Sequence, residues 1–276
     1  MNLNTVTEVK RPSSADEITG WRDGYAWLAG GTWLFSTPQI ATDTLIDLQS
    51  LHWPALEASI RGLDIAATCT IAELDGFEAP AAWTAAPLLP MCCRSLLASF
   101  KIWNAATVGG NICMSLPAGS MISLTASLEG VYILWPRDGK PRSVKAVDFV
   151  TGNHMNVLRP GELLRNIHLP ATALSKRFAF RRSSLTHLGR SAVIVIGTQT
   201  AGSDDLLLTV TAATARPMQI HFDHVPTTAL LRHAVDAHIR DADYFDDVHG
   251  SAAYKRHLTY YYAEQIRAEL RQGAAT

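Results

Sequence analysis

The spacing of apolar and polar positions changes several times along the chain, and each change predicts a different element. Residues 6–10, 26–29, 44–48 and 63–68 are short runs of strand character, the second ending in Gly30-Gly31. Ser13 or Ser14 followed by Asp16 and Glu17 marks a helix start, because a hydroxyl there can accept from the open N–H groups of a first turn. Thr70 and Glu73 have the spacing of a capping box and predict a short helix. After Pro87, the positions Leu89, Cys92, Cys93, Leu96, Leu97 and Phe100 recur at helical spacing and predict one helix reaching Phe100.

The small-residue stretch KIWNAATVGGNICMSLPAGSM cannot continue that pattern. Residues 118–128 return to helix, and 131–135 and 143–149 resemble paired strands around Asp138-Gly139, a favoured turn dipeptide. Residues 163–169 read as an edge strand, with a boundary near 170–175. Beyond it, 178–182, 192–196, 206–214 and 218–222 are strand candidates, and 226–239 and 251–271 are helices. The mixture predicts an α+β architecture with a smaller C-terminal domain.

Composition narrows the class without naming a function. A chain of 276 residues suits one large domain or two modest ones. Only 18% of residues are charged, below the usual quarter, which fits either a large buried interface or a monomer of unusual surface. A formal net charge of -1 gives no electrostatic footprint for nucleic acid or an acidic membrane. The opening MNLNTVTEVKRPSS lacks the apolar core of a signal peptide, and no apolar stretch has spanning length. The expectation is a cytoplasmic protein, or one exported only with a signal-bearing partner. Cys69, Cys92, Cys93 and Cys113 include no C-x-x-C pair and read as buried thiols rather than cluster ligands.

Two glycine pairs carry the candidate chemistry. In Leu28-Ala29-Gly30-Gly31-Thr32, a glycine pair at a strand end lets N–H groups converge without Cβ obstruction, and Thr32 adds a hydroxyl. In Ala106-Thr107-Val108-Gly109-Gly110-Asn111 the same logic recurs with a side-chain amide. Two such loops can face one diphosphate, or each can be an ordinary turn. Neither has the G-x-G-x-x-G fingerprint or a P-loop lysine, which disfavours a Rossmann nicotinamide site and phosphoryl transfer. Trp33, Trp103, Ile112 and Leu116 offer flavin-ring contacts or plain core packing. His221, His224, His233 and His238 do not make a convincing three-ligand metal set, and Ser183, Ser184 and His187 lack a triad pattern. Asp241, Asp243, Asp246 and Asp247 resemble a calcium loop only superficially and read as a solvated acidic connector.

The stretches LAGGTWL, IWNAATVGGNICMSLPAGS, VDFVTG with LRPGELLRNIHLP, and SAAYKRHL occur in an order that resembles the FAD-binding medium subunit, or fused flavin domain, of the xanthine dehydrogenase and carbon monoxide dehydrogenase family, the molybdenum hydroxylases. The resemblance implies a PCMH-type FAD-binding fold. Residues 1–172 would form the FAD-binding domain, with subdomains at about 1–55 and 56–172, and 173–276 a smaller α/β C-terminal domain. It implies that residues 29–32 and 107–111 clasp the FAD diphosphate, with Leu28, Trp33, Ser120, Leu163 and Arg177 as further cofactor-binding candidates. Trp33 and Ser120 stand where the family commonly has carboxylates, which leaves FAD affinity open. Arg177 and Arg181 either favour charge on reduced flavin, pair across an interface, or are solvated; Glu162 reads as a turn or interface carboxylate.

The same resemblance implies a division of labour with no catalytic residue and no metal ligand in this chain. A large partner subunit would hold molybdopterin-associated molybdenum and hydroxylate the organic substrate. A small partner would carry two [2Fe-2S] clusters and pass electrons to FAD here, and an acceptor such as NAD, a quinone or oxygen would take them. Two other readings remain: an assembly or regulatory scaffold with weakened FAD binding, and a stand-alone flavin reductase or oxidase.

Overall fold

The described strands sort into three larger sheets and one two-stranded hairpin, with helices packed against them. The computed structural model describes residues 3–18, 20–96, 98–136, 140–186 and 189–272. β1 (Glu8–Lys10), β2 (Tyr25–Leu28) and β3 (Thr44–Asp47) form a parallel sheet ordered β1-β3-β2, in which central β3 is mostly buried. The second sheet uses β4 (Leu56–Ser59), β5 (Gly62–Ala66), β6 (Val131–Trp135) and β7 (Arg142–Lys145). β8 (Val150–Gly152) and β9 (Met155–Asn156) make a small hairpin, and β10 (Leu163–Pro170) completes the second sheet in the antiparallel order β4-β5-β10-β6-β7. β11 (Arg177–Ser184), β12 (Ser191–Gln199), β13 (Leu206–Thr211) and β14 (Met218–Phe222) form an antiparallel meander.

The helices follow from local signals where those signals are strong. Thr70 opens α1 (Ile71–Asp75) with a full capping box: its N–H donates to Glu73 Oε2 at 2.7 Å, and the Glu73 N–H donates back to Thr70 Oγ1 at 3.2 Å. α2 (Leu88–Arg94), α3 (Phe100–Trp103), α4 (Val108–Cys113) and α5 (Ser120–Ser127) fill the middle of the chain. α6 (Ala146–Phe149) and α7 (Ala171–Leu174) are single turns; α8 (Thr228–His238) and α9 (Ala252–Gln272) cover the meander. Among the described residues, no helix is long and apolar enough to cross a membrane.

Every residue of α5 is buried. It lies against β12, β13, α2 and α4, so the meander and the middle of the chain share one core. β12 shows the same constraint from the other side. Ile194 and Ile196 enter the large central cluster, whereas Val193 and Val195 pack in a second cluster with α8 and α9. A strand covered on both faces reads as a continuous apolar run instead of an alternation. Two of the hydroxyls carried inside on α5 meet other elements: Ser123 Oγ lies 2.7 Å from Thr211 Oγ1, and Thr125 Oγ1 lies 2.6 Å from the Tyr132 hydroxyl.

Several sequence expectations need correction. The helix expected to reach Phe100 ends at Arg94, where the Ser95 hydroxyl donates back to the Met91 carbonyl at 2.8 Å and the chain turns. Phe100 starts a separate turn and is 73% exposed; Leu97 lies outside the described residues. β10 is an interior strand, paired with β5 on one side and β6 on the other, and not an edge. The expected strand at 143–149 is a strand only to Lys145, after which α6 turns the chain inward; Asp138-Gly139 and His187 lie outside the described residues. The C-terminal aspartates are engaged, not merely solvated. Asp247 pairs at 2.9 Å with the fully buried ammonium of Lys255, Asp241 at 3.1 Å with Arg256, and Asp243 at 3.3 Å with Arg240.

Burial holds the Cys92 thiol well above its usual range and pushes Cys93 up to about 12, so both stay protonated, as buried thiols should. Glu162 is also buried. Its carboxylate accepts two bonds from Arg142, each 2.7 Å, and one from the Arg159 N–H at 2.8 Å, which is the turn role expected of it. The Glu162 carbonyl accepts from Trp27 Nε1 at 3.1 Å and so ties the first sheet to the second.

Two stability predictions follow from these buried charges. Asp247→Ala leaves the Lys255 ammonium buried without its partner and should cost about 3 kcal/mol in urea unfolding, with part recovered in the Asp247→Ala, Lys255→Met double variant. The hydrogen bonds from Arg142 hold Glu162 below the ordinary glutamate range. A depressed carboxylate adds stability that is fully present above that range and lost as pH falls through the folded-state pKa. The stability gap between the native chain and Glu162→Gln should therefore be constant near neutrality and close on acidification below the ordinary range; a gap that widens in acid would contradict the assignment.

Candidate functional site

The first glycine loop begins where β2 ends. Leu28 still belongs to the sheet, its carbonyl accepting from the Leu48 N–H at 2.8 Å. Ala29 packs in an apolar cluster with Leu163, Trp27 and Trp135. A Cβ on Gly30 would fall 1.8 Å from the Ala105 carbonyl oxygen, so no other residue fits between the two chain segments. Gly31 takes φ +69°, and the turn closes with the Phe35 N–H on the Gly31 carbonyl and the Ser36 N–H on the Trp33 carbonyl, both 2.8 Å. The N–H groups of Gly30, Gly31, Thr32, Trp33 and Leu34 find no acceptor among the described residues. A run of unshared N–H groups in a glycine turn suits an anion.

The second loop is built differently from the first, against expectation. Thr107 caps α4, and Gly109 and Gly110 lie inside its first turn. The amides there are already used. Val108 donates to the Cys69 carbonyl at 2.8 Å, Gly109 to the Ala67 carbonyl at 3.0 Å, Gly110 to Thr107 Oγ1 at 3.0 Å and Asn111 to the Thr107 carbonyl at 2.9 Å. Gly109 is required by packing, since a Cβ there would lie 2.5 Å from the Ala67 Cβ. What this loop can still offer is the Thr107 hydroxyl hydrogen and the Asn111 amide nitrogen; Asn111 Oδ1 accepts from the Met121 N–H at 3.1 Å.

The β8–β9 hairpin contributes residues that sequence reasoning missed. His154 sits at its tip with φ 57°, donates its N–H to the Ser115 carbonyl at 2.9 Å, and places its ring 5.7 Å from that of Trp33. Asn156 Nδ2 donates to the Cys113 carbonyl and to Ser115 Oγ, both 3.0 Å. The hairpin thus links the first loop to the chain that follows the second. No chemical motif announces it; the only available signal was the short turn between Gly152 and Met155.

The other expected site residues separate into two groups. Trp33 is 38% exposed and offers a flat surface beside the first loop. Leu163 lies in the Ala29 cluster and lines a cavity of about 420 Å³ with Asp16, Ile18, Trp135 and Gly161. Ile112 is fully buried in the central core and so is unavailable as a ring contact. Ser120 is fully buried at the start of α5, and its hydroxyl has no partner among the described residues. Arg177 donates to Gln199 Oε1 at 2.9 Å, and Arg181 to Gln265 at 2.8 Å and Glu269 at 2.6 Å. Both arginines are committed within the C-terminal part, and neither hydrogen-bonds a glycine loop. His221 and His224 lie on the surface beside Asp223 and Asp204, at 3.7 and 3.9 Å.

The donor set is therefore a row of N–H groups, a hydroxyl and a carboxamide, with no carboxylate in either loop to repel an anion. It fits a diphosphate, and it contains no paired acid and base for proton transfer.

Comparison with known proteins agrees with this chemistry. Residues 5–172 match the family described as FAD binding domain in molybdopterin dehydrogenase. The carbon monoxide dehydrogenase medium chain of Hydrogenophaga pseudoflava is 26% identical over 192 residues, covering 66% of this chain and 66% of that relative. Among solved structures, quinoline 2-oxidoreductase from Pseudomonas putida 86 superposes with a TM-score of 0.80 at 18% identity, covering 100% of both chains. Carbon monoxide dehydrogenase from Hydrogenophaga pseudoflava, in a form lacking the Mo-pyranopterin moiety of its cofactor, gives 0.77 at 19% identity over 95% of this chain and 96% of that one. This chain belongs to the FAD-binding family of the molybdopterin dehydrogenases, and its fold is the one seen in those two structures.

Gly30→Ala should displace the Ala105 segment. Overpacking of this kind costs about 1–3 kcal/mol, roughly tenfold or more in affinity, so the FAD retained by the purified variant should fall accordingly. Gly76→Ala, whose new Cβ would meet nothing closer than 3.5 Å, should retain the native amount. Equal FAD content in the two variants would show that the Gly30 contact does not shape the site.

Proposed function

We propose that this chain is the FAD-binding, electron-transfer subunit of a molybdenum hydroxylase complex. The observation that carries the reading is the run of unshared N–H groups from Gly30 to Leu34 beside the Gly30–Ala105 contact, in a chain of an FAD-binding family. Ala29, Gly30, Gly31 and Thr32 would hold the diphosphate through backbone N–H groups and the Thr32 hydroxyl. Thr107 and Asn111 would add a hydroxyl and an amide from the opposite side, with Gly109 and Gly110 setting their position. Leu28, Trp33 and Leu163 would supply apolar contact. Ser120 is buried and Arg177 is tied to Gln199, and the reading does not require them.

FAD, when bound, exchanges one-electron and two-electron chemistry, and the protein supplies its placement and electrostatic surroundings. The residues of this chain bind and orient; they do not activate an organic substrate. Hydroxylation belongs to a large partner carrying molybdopterin-associated molybdenum, and electrons arrive from a small partner with [2Fe-2S] clusters. The low charged fraction supports extensive contact with such partners, since the cores of interfaces are depleted of charge. A second reading has one observation in its favour. Because the second loop uses its amides internally, the chain could hold FAD weakly and serve chiefly as a scaffold.

The complex purified through this chain from its native host should show FAD, identified by mass after release, together with iron–sulfur absorption. A colourless complex would favour the scaffold, and FAD without iron–sulfur centres would favour a stand-alone flavoprotein. Hydroxylation of an organic substrate by the isolated, molybdenum-free chain would overturn the division of roles.

A further inference from the structure

The β8–β9 hairpin is anchored behind the second loop by one residue and reaches the first loop with another. Asn156 is the anchor. Its Nδ2 donates to the Cys113 carbonyl and to Ser115 Oγ, both at 3.0 Å, and its Oδ1 accepts from the Leu158 N–H at 3.0 Å, so both ends of the carboxamide are engaged. Ser115 is fully buried just past α4, and its carbonyl accepts the His154 N–H at 2.9 Å. The hairpin cannot swing without breaking bonds to this buried segment. At its tip His154 is exposed, with its ring 5.7 Å from that of Trp33 and inclined by 43°. That separation lies within the range of aromatic pairs, about 4.5–7 Å.

Two observations single out the His154 ring. The first is the backbone that carries it. Ser115 at φ 52° and His154 at φ 57° both lie in the left-handed region, and they share a hydrogen bond. A Cβ disfavours this region and glycine would make the same turn without strain, so the tip carries a side chain against its backbone preference. Strain kept in this way points to a use for the side chain. The second is the state of Trp33. Its turn is closed by the Phe35 N–H on the Gly31 carbonyl and the Ser36 N–H on the Trp33 carbonyl, bonds that fix the backbone and leave the indole to be held by what it touches. Among the described residues its only ring contact is with His154.

We propose that His154 is a positioning residue for the cofactor site: its ring, carried by the anchored hairpin, holds the Trp33 indole and with it the Gly30–Leu34 turn in the arrangement that receives FAD. This role rests on the flavin reading above and needs no contact between His154 and FAD itself. The restraint runs from the hairpin to the loop, because the hairpin is bonded to a buried segment through Asn156 whereas Trp33 is 38% exposed on a surface turn. An indole free to leave this arrangement lowers the fraction of chains competent to bind and raises the apparent Kd in proportion. The agent is the ring and not its charge, so a neutral ring of similar size should serve.

The test titrates FAD into the full-length chain after its flavin has been removed, followed by flavin fluorescence, with the melting temperature of the FAD-free chain measured alongside. His154→Gly keeps the left-handed tip and its N–H bond but removes the ring; it should weaken FAD binding roughly fivefold without lowering the melting temperature, since glycine suits that backbone. His154→Phe should restore the affinity to within about twofold of native. Trp33→Ala should weaken binding by itself, and adding His154→Gly to it should change nothing further, because a residue that acts through Trp33 then has nothing left to position. Native affinity in His154→Gly, or a melting temperature that falls with the affinity, would overturn the role. Equal losses in the phenylalanine and glycine variants would overturn the ring contact, and additive losses in the double variant would overturn the route through Trp33. A native chain that takes up no FAD would instead overturn the flavin reading, so the two failures are distinguishable.

Discussion

Two backbone contacts that admit no side chain hold the candidate site together. Gly30 rests on the Ala105 carbonyl, and Gly109 rests on Ala67 at the end of β5. Through them the first sheet, the second loop and the second sheet stack in sequence, with separations set by backbone atoms and not by the rotamers of intervening side chains. Such a stack is stiff, because close-packed backbone has no torsion through which to relax cheaply. The two loops then divide the work. The second spends its amides on internal bonds that fix Thr107 and Asn111, and the first keeps its own amides open beside it.

The rigidity reaches into the C-terminal part through α5. Its Met121 N–H holds Asn111 Oδ1, Ser123 meets Thr211 on β13, and the Ala126 carbonyl accepts from Gln219 Nε2 at 2.8 Å on β14. A helix with no exposed residue cannot shift without carrying its neighbours, so the meander acts as a brace for the second loop. This explains why Ser123 and Thr125 are tolerated at the centre of the core. Their hydroxyls meet Thr211 on β13 and Tyr132 on β6, and together they specify one register of helix against sheet.

Much of this was legible in the sequence wherever the determining interaction was local. The Thr70–Glu73 box, the extent of β14 and the long final helix each depend on residues within a few positions of one another. The glycine loops were legible as places where backbone comes close, but not in what their amides do. The partners of Gly109 and Val108 are carbonyls about forty residues earlier in the chain, and nothing in T-V-G-G-N reveals them. The break after Arg94 and the interior position of β10 were hidden for the same reason: periodicity reports which face is apolar, whereas tertiary pairing decides where an element stops and what lies on either side. Asp241 and Asp247 read as solvated because their cations, Arg256 and Lys255, lie on a different element.

Trp33 and Ser120 bear on the character of the candidate site more than on its location. No lysine or arginine occurs at 28–36 or 104–116, so under the proposed reading the negative charge of a diphosphate would be met by backbone dipoles and neutral donors. A carboxylate at position 33 would stand among those N–H groups and compete with the phosphates for them. The tryptophan found there instead leans on His154 and presents a flat apolar surface. Recognition by oriented dipoles beside an aromatic face is short-ranged and depends on geometry, whereas ion pairs act over longer distances and are screened by salt. The affinity of this site should then be governed by how well the Gly30 and Gly109 contacts hold the loops in place, which makes backbone packing, not charge, the quantity that mutation must disturb to release the cofactor.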